Sequence, residues 1–346
     1  MYIMKALILE EYNKLVYKDF DKPNIGLDDV LIKVKACGIC GSDVHGMDGS
    51  TGRRKPPIIM GHEASGEIVE TGGNVANWYV GDRVTFDSTI YPLNDWYTLK
   101  GQYNLSDNRM VLGVSPDEYT RHGAFAEYVV VPSHILYKIP DQVSYEEAAM
   151  VEPVAVAAHA LNVSTFSMGD NVMVVGAGMI GCFVIKLLKI AGAGNIIAVD
   201  TDNTKAGMAK EFGADLFINP LTEDVNDIVL ASTNGRGVDL AVEVVGVSSA
   251  INTAISNTRK GGSVTLVGNL SAKAEFPLQQ IVTKQIRVQG SCAICGEYEE
   301  VLSMMQKGIV DVKPLLSKVA PLSEGAEWFQ RLYQKEEGLN KVILVP

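Results

Sequence analysis

The sequence predicts an α/β protein of two domains, one built on a doubly wound parallel sheet and one on a largely antiparallel, barrel-like sheet. Across residues 151–290, apolar runs of strand length alternate with segments of helical period, the pattern of a parallel sheet with crossover helices. Across residues 1–150 the pattern differs: short β-like runs, each bounded by Gly, Pro, Asp or Asn, with no long helical stretch. A chain of 346 residues with 47% hydrophobic content supplies a core for each.

The elements follow in order. Strands are expected at 5–9, 30–36, 67–70, 82–86 and 125–131, joined by long connections of the kind that carry function. From residue 145 the segment YEEAAMVEPVAVAAHALN is helix-forming throughout. Strands then fall at 172–175, 195–199, 215–218, 238–244, 263–267 and 286–289, with helices between them. From Ser291 onward come two amphipathic helices, 297–307 and 324–334, and a last strand at 342–345. This tail is assigned to the first domain, giving 1–150 with 291–346 as one domain and 151–290 as the other.

The stretch NVMVVGAGMIGCFVIKLLKIAGAGNIIAVD organises the second domain. An apolar strand ends in Gly176, Gly178 and Gly181, and the glycines open a helix whose first N–H groups, around Met179 and Ile180, can hold a pyrophosphate. A second strand ends at Asp200, where a carboxylate can accept both ribose hydroxyls of NAD and would repel the 2′-phosphate of NADP. A glycine-rich turn without a ligand is the alternative, but strand, glycines, helix, strand and acid in register favour a dinucleotide site.

Composition excludes several partner classes. A formal net charge of -11 opposes both nucleic acid and anionic membrane surfaces. No apolar run is long enough to span a bilayer, and Lys5 and Glu10 interrupt the N-terminal segment before a signal-peptide core forms. A cytoplasmic protein is expected, and five cysteines, few and odd in number, fit that compartment.

Cys37-Gly-Ile-Cys40-Gly-Ser42-Asp43-Val-His45 follows a strand, Gly61-His62-Glu63 comes later, and Val151-Glu152-Pro153 opens the long helix. Cys, His and carboxylates in such a set suit a catalytic zinc with an exchangeable position. Other readings exist. Cys37 with Cys40, and Cys292 with Cys295, each form C-x-x-C, which also suits a redox pair or half of a structural metal site. His62 alone would read as a hydrogen-bonded core residue. Ser42 also reads as a helix N-cap, and His45 as a surface histidine without a task.

Taken together, CGICGSDVH, GHEASG, GDRV, HGAFAEYVVVP, VEPVAV and GAGMIG resemble the zinc-dependent medium-chain dehydrogenases, and within them the polyol branch typified by sorbitol dehydrogenase. The resemblance covers essentially the whole chain. It implies a GroES-like barrel, a Rossmann domain, a catalytic zinc in the cleft between them, a small alcohol or polyol substrate, and a homo-oligomer, a tetramer or dimer. It implies Cys40, His62 and Glu63 as zinc ligands, with Glu152 reaching the metal directly or through its water. Ser42 would bond the reacting alcohol, Asp43 would support the histidine ligand, and His45 would end the proton path. Lys205 would lie near the ribose, Val267, Gly268 and Asn269 would face the nicotinamide, and Ser291 would lie where the chain re-enters the cleft. Threonine or butanediol is the alternative substrate. A retained fold without activity is disfavoured by intact ligands and glycines, and a zinc-free quinone reductase by Cys40, His62, Glu63 and Asp200.

Two departures from that family limit the transfer. Many relatives hold a structural zinc on four cysteines, which align here with Pro92, Asp95, Thr98 and Ser106; no structural zinc is expected, and the lobe is expected either to be held by packing of residues such as Trp96, Tyr97 and Leu105 or to remain mobile. The Arg-Tyr pair of animal sorbitol dehydrogenases aligns with Ala293-Ile294, so sorbitol itself is not implied. Finally, Arg53, Arg54 and Lys55 would steer an anionic substrate if they stood at a cleft mouth, and would be a solvated basic loop otherwise. Met47 and Met60 read as packing residues.

Overall fold

The computed structural model describes residues 3–114 and 121–346. Backbone contacts divide the chain into two units, Met1–Glu152 with Ile294–Pro346, and Pro153–Ala293.

The first unit is organised around the strand Asp29–Gly38, which pairs antiparallel with Glu63–Thr71, Tyr128–Pro132 and Lys341–Val345 inside a seven-stranded sheet. With partners on each edge, its residues are buried almost throughout, as a central strand of apolar and β-branched residues requires. A smaller sheet places Ile3–Glu11 between Lys14–Asp21 and Ile58–Ile59. Leu7, Leu9, Ile32, Ile58, Phe86 and Phe125 fill the core, and Phe329 of the tail meets Phe125 edge to face at 5.5 Å. The last strand ties the tail to this unit, Leu344 standing opposite Cys37 and Ile343 opposite Gly38.

Three expectations need adjustment. The strand expected at 67–70 begins at Glu63, because GHEASG lacks the β-branched pattern that marks strands and reads as a loop. Lys14–Asp21 and Leu316–Pro321 are strands the pattern misses; both are half-exposed and interrupted by charge or proline. The single helix expected over 145–162 is two, Tyr145–Ala148 and Val151–Asn162. Pro153 explains the break, since proline is tolerated in the first turn of a new helix but not inside a continuing one.

The lobe at 91–106 is held by polar contacts rather than by the expected aromatic packing. Trp96 is 66% and Leu105 42% exposed, so neither anchors it. Instead Asp95 accepts hydrogen bonds from the Thr98 N–H at 2.7 Å and from the Ser106 hydroxyl. Two of the positions aligned with cysteines, Thr98 and Ser106, are thus both bonded to a third, Asp95. Tyr103 supplies the second anchor: its hydroxyl donates to Asp87 at 2.8 Å and accepts from the Gly296 N–H at 2.7 Å, while its ring stacks on Tyr91.

Asp87 is almost fully buried, and that burial pushes its carboxyl up to about 6 from an ordinary 3.8, against the opposing bonds from Thr89 and Tyr103. A carboxyl raised on folding stabilises fully below its unfolded value and less as pH climbs through the folded one. Stability held by this group is therefore lost between about pH 4 and pH 6, at a cost of up to about 3 kcal/mol. Asp87→Asn is expected to gain on the unaltered chain by about that amount between pH 4 and pH 7 in denaturant titrations. A pH-independent difference between the two would remove this account.

The second unit is a six-stranded parallel sheet in the order Leu216–Ile218, Asn195–Val199, Asn171–Val175, Val238–Glu243, Thr258–Leu266, Arg287–Gly290. The strands Asn195–Val199, Asn171–Val175 and Val238–Glu243 are buried nearly throughout because helices cover both faces, and Val175, Ile197, Val229 and Ile255 contribute to one such core. No helix among the described residues is long and apolar enough to cross a membrane.

Candidate functional site

In the first unit, the chain leaves the strand Asp29–Gly38 and turns directly into the short helix Gly41–Met47. Cys40, not Ser42, is the N-cap. Its Sγ accepts from the Ser42 N–H at 3.5 Å, and the Asp43 carboxylate accepts from the Cys40 N–H at 3.2 Å. This reciprocal cap fixes the thiol at the helix start and leaves the Ser42 side chain uncommitted to capping. The Ser42 Oγ donates to Cys40 Sγ at 3.3 Å.

His62 and Glu63 lie where the strand Glu63–Thr71 begins, opposite Gly38. Cys40, His62 and Glu63 each present a ligand atom within 4.8 Å of the others. Glu63 Oε1 is buried with no hydrogen-bond partner, whereas Oε2 is held by the buried Lys341 ammonium, which also donates to the Ile39 carbonyl at 3.1 Å. A buried carboxylate with one oxygen unpartnered, brought together with a thiol and an imidazole, is a donor set that suits zinc. Lys341 neutralises the other oxygen.

Behind the histidine stands Asp43, fully buried, with Oδ1 3.5 Å from His62 Nδ1 and 2.6 Å from Arg54 Nη2. Burial would raise this carboxyl, but His62 and Arg54 outweigh it and hold it well below the usual range. Glu152, at the start of the helix Val151–Asn162, is not one of the three converging residues. Burial and the charge of Glu63 push it up to about 8. His45 is exposed and lines a small cavity of about 120 Å³ with Ile39, Gly41, Tyr333 and Lys335. Cys37 is fully buried with its thiol pushed up by burial, the reverse of an activated redox thiol. None of the five cysteines forms a disulfide.

The basic triplet divides. Arg53 and Lys55 are exposed, but Arg54 is 1% exposed and turned inward onto Asp43, so it cannot take part in steering at a surface. Met47 and Met60 are core residues.

In the second unit, the strand Asn171–Val175 leads through Gly176 to the helix Met179–Ile190, whose N-cap is Gly178. A Cβ on Gly181 would lie 1.9 Å from the Gly176 carbonyl, so only glycine lets helix and turn approach this closely. At Gly178 no protein atom lies within 4 Å of that position, which leaves open space beside the free N–H groups of Met179, Ile180 and Gly181. Asp200 accepts from the Ala177 N–H at 2.8 Å and pairs with Lys205 at 3.0 Å. Those features fit the diphosphate and ribose of a nicotinamide nucleotide.

Sequence reasoning missed Glu243. Its carbonyl accepts from Val267 and Gly268, and its Oε1 accepts from Val245 and Gly246 at 2.7 and 2.8 Å. This one residue thus holds Val267 and Gly268 through its backbone carbonyl, and Val245 and Gly246 through its buried carboxylate. Its only sequence signal was a carboxylate closing an apolar run. Ser291 donates its N–H to Leu266 at 2.9 Å, and its hydroxyl is buried without a partner.

Comparison with known proteins agrees with this geometry. Residues 26–141 match the alcohol dehydrogenase GroES-like domain, and residues 180–307 the zinc-binding dehydrogenase model. Sorbitol dehydrogenase of Bacillus subtilis is 33% identical over 99% of this chain and 97% of its own length. Among solved structures, 2R,3R-butanediol dehydrogenase of the same organism is 35% identical with a TM-score of 0.89, covering 99% of both chains. A putative zinc-binding dehydrogenase of Sinorhizobium meliloti, solved bound to NADP, is 30% identical with a TM-score of 0.90, covering 100% of both chains. The chain belongs to the zinc-dependent medium-chain alcohol dehydrogenases, and it is an enzyme of their polyol and sugar-alcohol branch.

Proposed function

We propose that this enzyme oxidises a secondary alcohol of a polyol, sugar or sugar acid, passing hydride to NAD and releasing a proton, with one zinc ion per chain. The observation that carries the reading is the convergence of Cys40, His62 and Glu63 beside the hydroxyl of Ser42, which contacts Cys40 Sγ at 3.3 Å. Zinc, when bound, supplies a Lewis acid to the alcohol oxygen, and the nicotinamide accepts the hydride. Cys40, His62 and Glu63 hold the metal, with Glu152 as an acid beside them. Ser42 accepts the substrate's hydroxyl proton as it gives up its own hydroxyl hydrogen, which leaves toward His45 and solvent. Asp43 fixes the imidazole of His62, and Lys341 holds Glu63 in place.

For the cofactor, the acid at Asp200 favours NAD, although the Sinorhizobium relative was solved with NADP. Gly176, Gly178, Met179, Ile180 and Gly181 take the diphosphate, Lys205 the ribose edge, and Val267, Gly268, Asn269 and Ser291 the nicotinamide side. A single zinc is supported by the lobe, where Thr98 and Ser106 are each already bonded to Asp95. The first unit is thus the catalytic domain and the second the nucleotide domain, in a cytoplasmic enzyme. A homo-oligomer is supported by the edge strand Arg287–Gly290, which is exposed along its whole length, with Phe276, Leu278 and Val282 exposed on the same unit. Sedimentation at the mass of one chain would exclude it.

A vicinal diol such as 2,3-butanediol is the second reading, favoured by 35% identity to a butanediol dehydrogenase. The deciding experiment is NADH formation across polyols, sugar acids, sugar phosphates, threonine and butanediol, before and after zinc is removed by a chelator. Zinc-restorable oxidation of one polyhydroxy compound is expected. Equal rates with and without zinc would overturn the mechanism, and a preference for butanediol or threonine would replace the substrate class.

A further inference from the structure

The side chain of Arg54 has no exposure to solvent, and its Nε and Nη1 have no hydrogen-bond partner. A guanidinium is buried at such expense only when something charged answers it. Asp43 is that answer, at 2.6 Å from Nη2. The same Nη2 lies 3.2 Å from the Ser42 Oγ and donates to it. The space for this arrangement comes from Gly46, where a Cβ would sit 2.5 Å from both Cδ and Nη1 of Arg54.

A serine hydroxyl has one hydrogen and two lone pairs. In Ser42 the hydrogen points to Cys40 Sγ at 3.3 Å, and one lone pair takes the Arg54 N–H. A single acceptor position remains. Resting on the reading that Ser42 accepts the hydrogen bond of the substrate alcohol, we propose that Arg54 is a positioning residue that holds Ser42 with its remaining lone pair directed to the substrate hydroxyl. A freely rotating serine would spend part of its time presenting its own hydrogen there, donor against donor. Arg54 removes that competing orientation, and Asp43 fixes Arg54. The group acts through Ser42 and does not itself touch substrate.

The test is a double-mutant cycle between Arg54→Met and Ser42→Ala in the zinc- and NAD-loaded enzyme, read in two ways. One reading is kcat/KM for the preferred alcohol. The other is the dissociation constant of a tertiary alcohol, which has no hydride to give, measured by calorimetry. Arg54→Met is expected to lower kcat/KM by about 10- to 100-fold and to weaken tertiary-alcohol binding when Ser42 is present. It is expected to change either by less than about threefold when position 42 is alanine. Gly46→Ala, whose Cβ displaces the guanidinium while keeping its charge, is expected to reproduce the pattern and stands in if Arg54→Met does not fold. Losses of equal size in both serine and alanine backgrounds, or none in either, overturn the proposal and leave Arg54 as a counter-charge for Asp43. Failure of the underlying reading looks different: Ser42→Ala alone would then leave kcat/KM intact, and this inference would fall with it.

Discussion

His62→Ala is expected to bring bound zinc close to zero and to lower kcat/KM for the alcohol by roughly 10³-fold or more, the scale of losing several kcal/mol of Lewis-acid assistance. The reasoning starts from the number of donors. Among the described residues, Cys40, His62 and Glu63 bring ligand atoms within 4.8 Å of one another, so removing His62 leaves a thiol and a carboxylate. That carboxylate is already shared with the Lys341 ammonium, which would compete for it once the metal is weakly held. Behind the cavity, the Asp43–Arg54 pair would lose its imidazole neighbour but keep its own contact at 2.6 Å, so the fold should survive and the loss should be one of metal. Glu152→Gln is the comparison: lying outside the converging three, Glu152 can change while zinc stays bound, and a smaller loss of rate is expected. Metal analysis beside initial rates decides both. Stoichiometric zinc and unimpaired turnover in His62→Ala would mean that the cluster is not the catalytic metal site.

What could be read from the sequence was whatever chemistry concentrates locally. Cys40, Ser42 and Asp43 sit within one turn of chain, His62 and Glu63 are adjacent, and the glycines from Gly176 to Gly181 lie between a strand and a helix. Each motif carries its own mechanism. The partners that tune those groups come from elsewhere in the chain and leave no local mark. Lys341 meets Glu63 across 278 positions, and only the pairing of the last strand with Asp29–Gly38 brings them together. Arg54 looked like one of three surface cations because charge in a loop usually seeks water; the buried Asp43 reverses that expectation for one residue and leaves its neighbours exposed. Ser42 looked like a helix cap, and a thiol took the role instead because Asp43 stands at the reciprocal position. In the lobe, four aligned non-cysteine positions indicated the loss of a thiolate cage, but not that Thr98 and Ser106 would both bond to Asp95.

Asp200→Ala is expected to lower kcat/KM for NAD by about 10- to 100-fold and to raise that for NADP, because one carboxylate does two opposed things. It offers two charged acceptors to the ribose hydroxyls, and bonds to a charged group are each worth about 1.5 to 3 kcal/mol. It also presents a negative charge where the 2′-phosphate of NADP would lie. Lys205 makes the second effect larger. Its ammonium is held by Asp200 at 3.0 and 3.1 Å, so removing the acid frees a cation at the ribose edge that a phosphate can take. Asp200→Asn separates the contributions: the amide can still accept from the Ala177 N–H, now bonded at 2.8 Å, so the turn is kept while the charge is lost. A gain in NADP use that appears in both variants, and disappears when Lys205→Ala is added, would assign selectivity to the charge pair. Equal use of the two cofactors by the unaltered enzyme would show that the Asp200 carboxylate, already neutralised by Lys205, does not select between them.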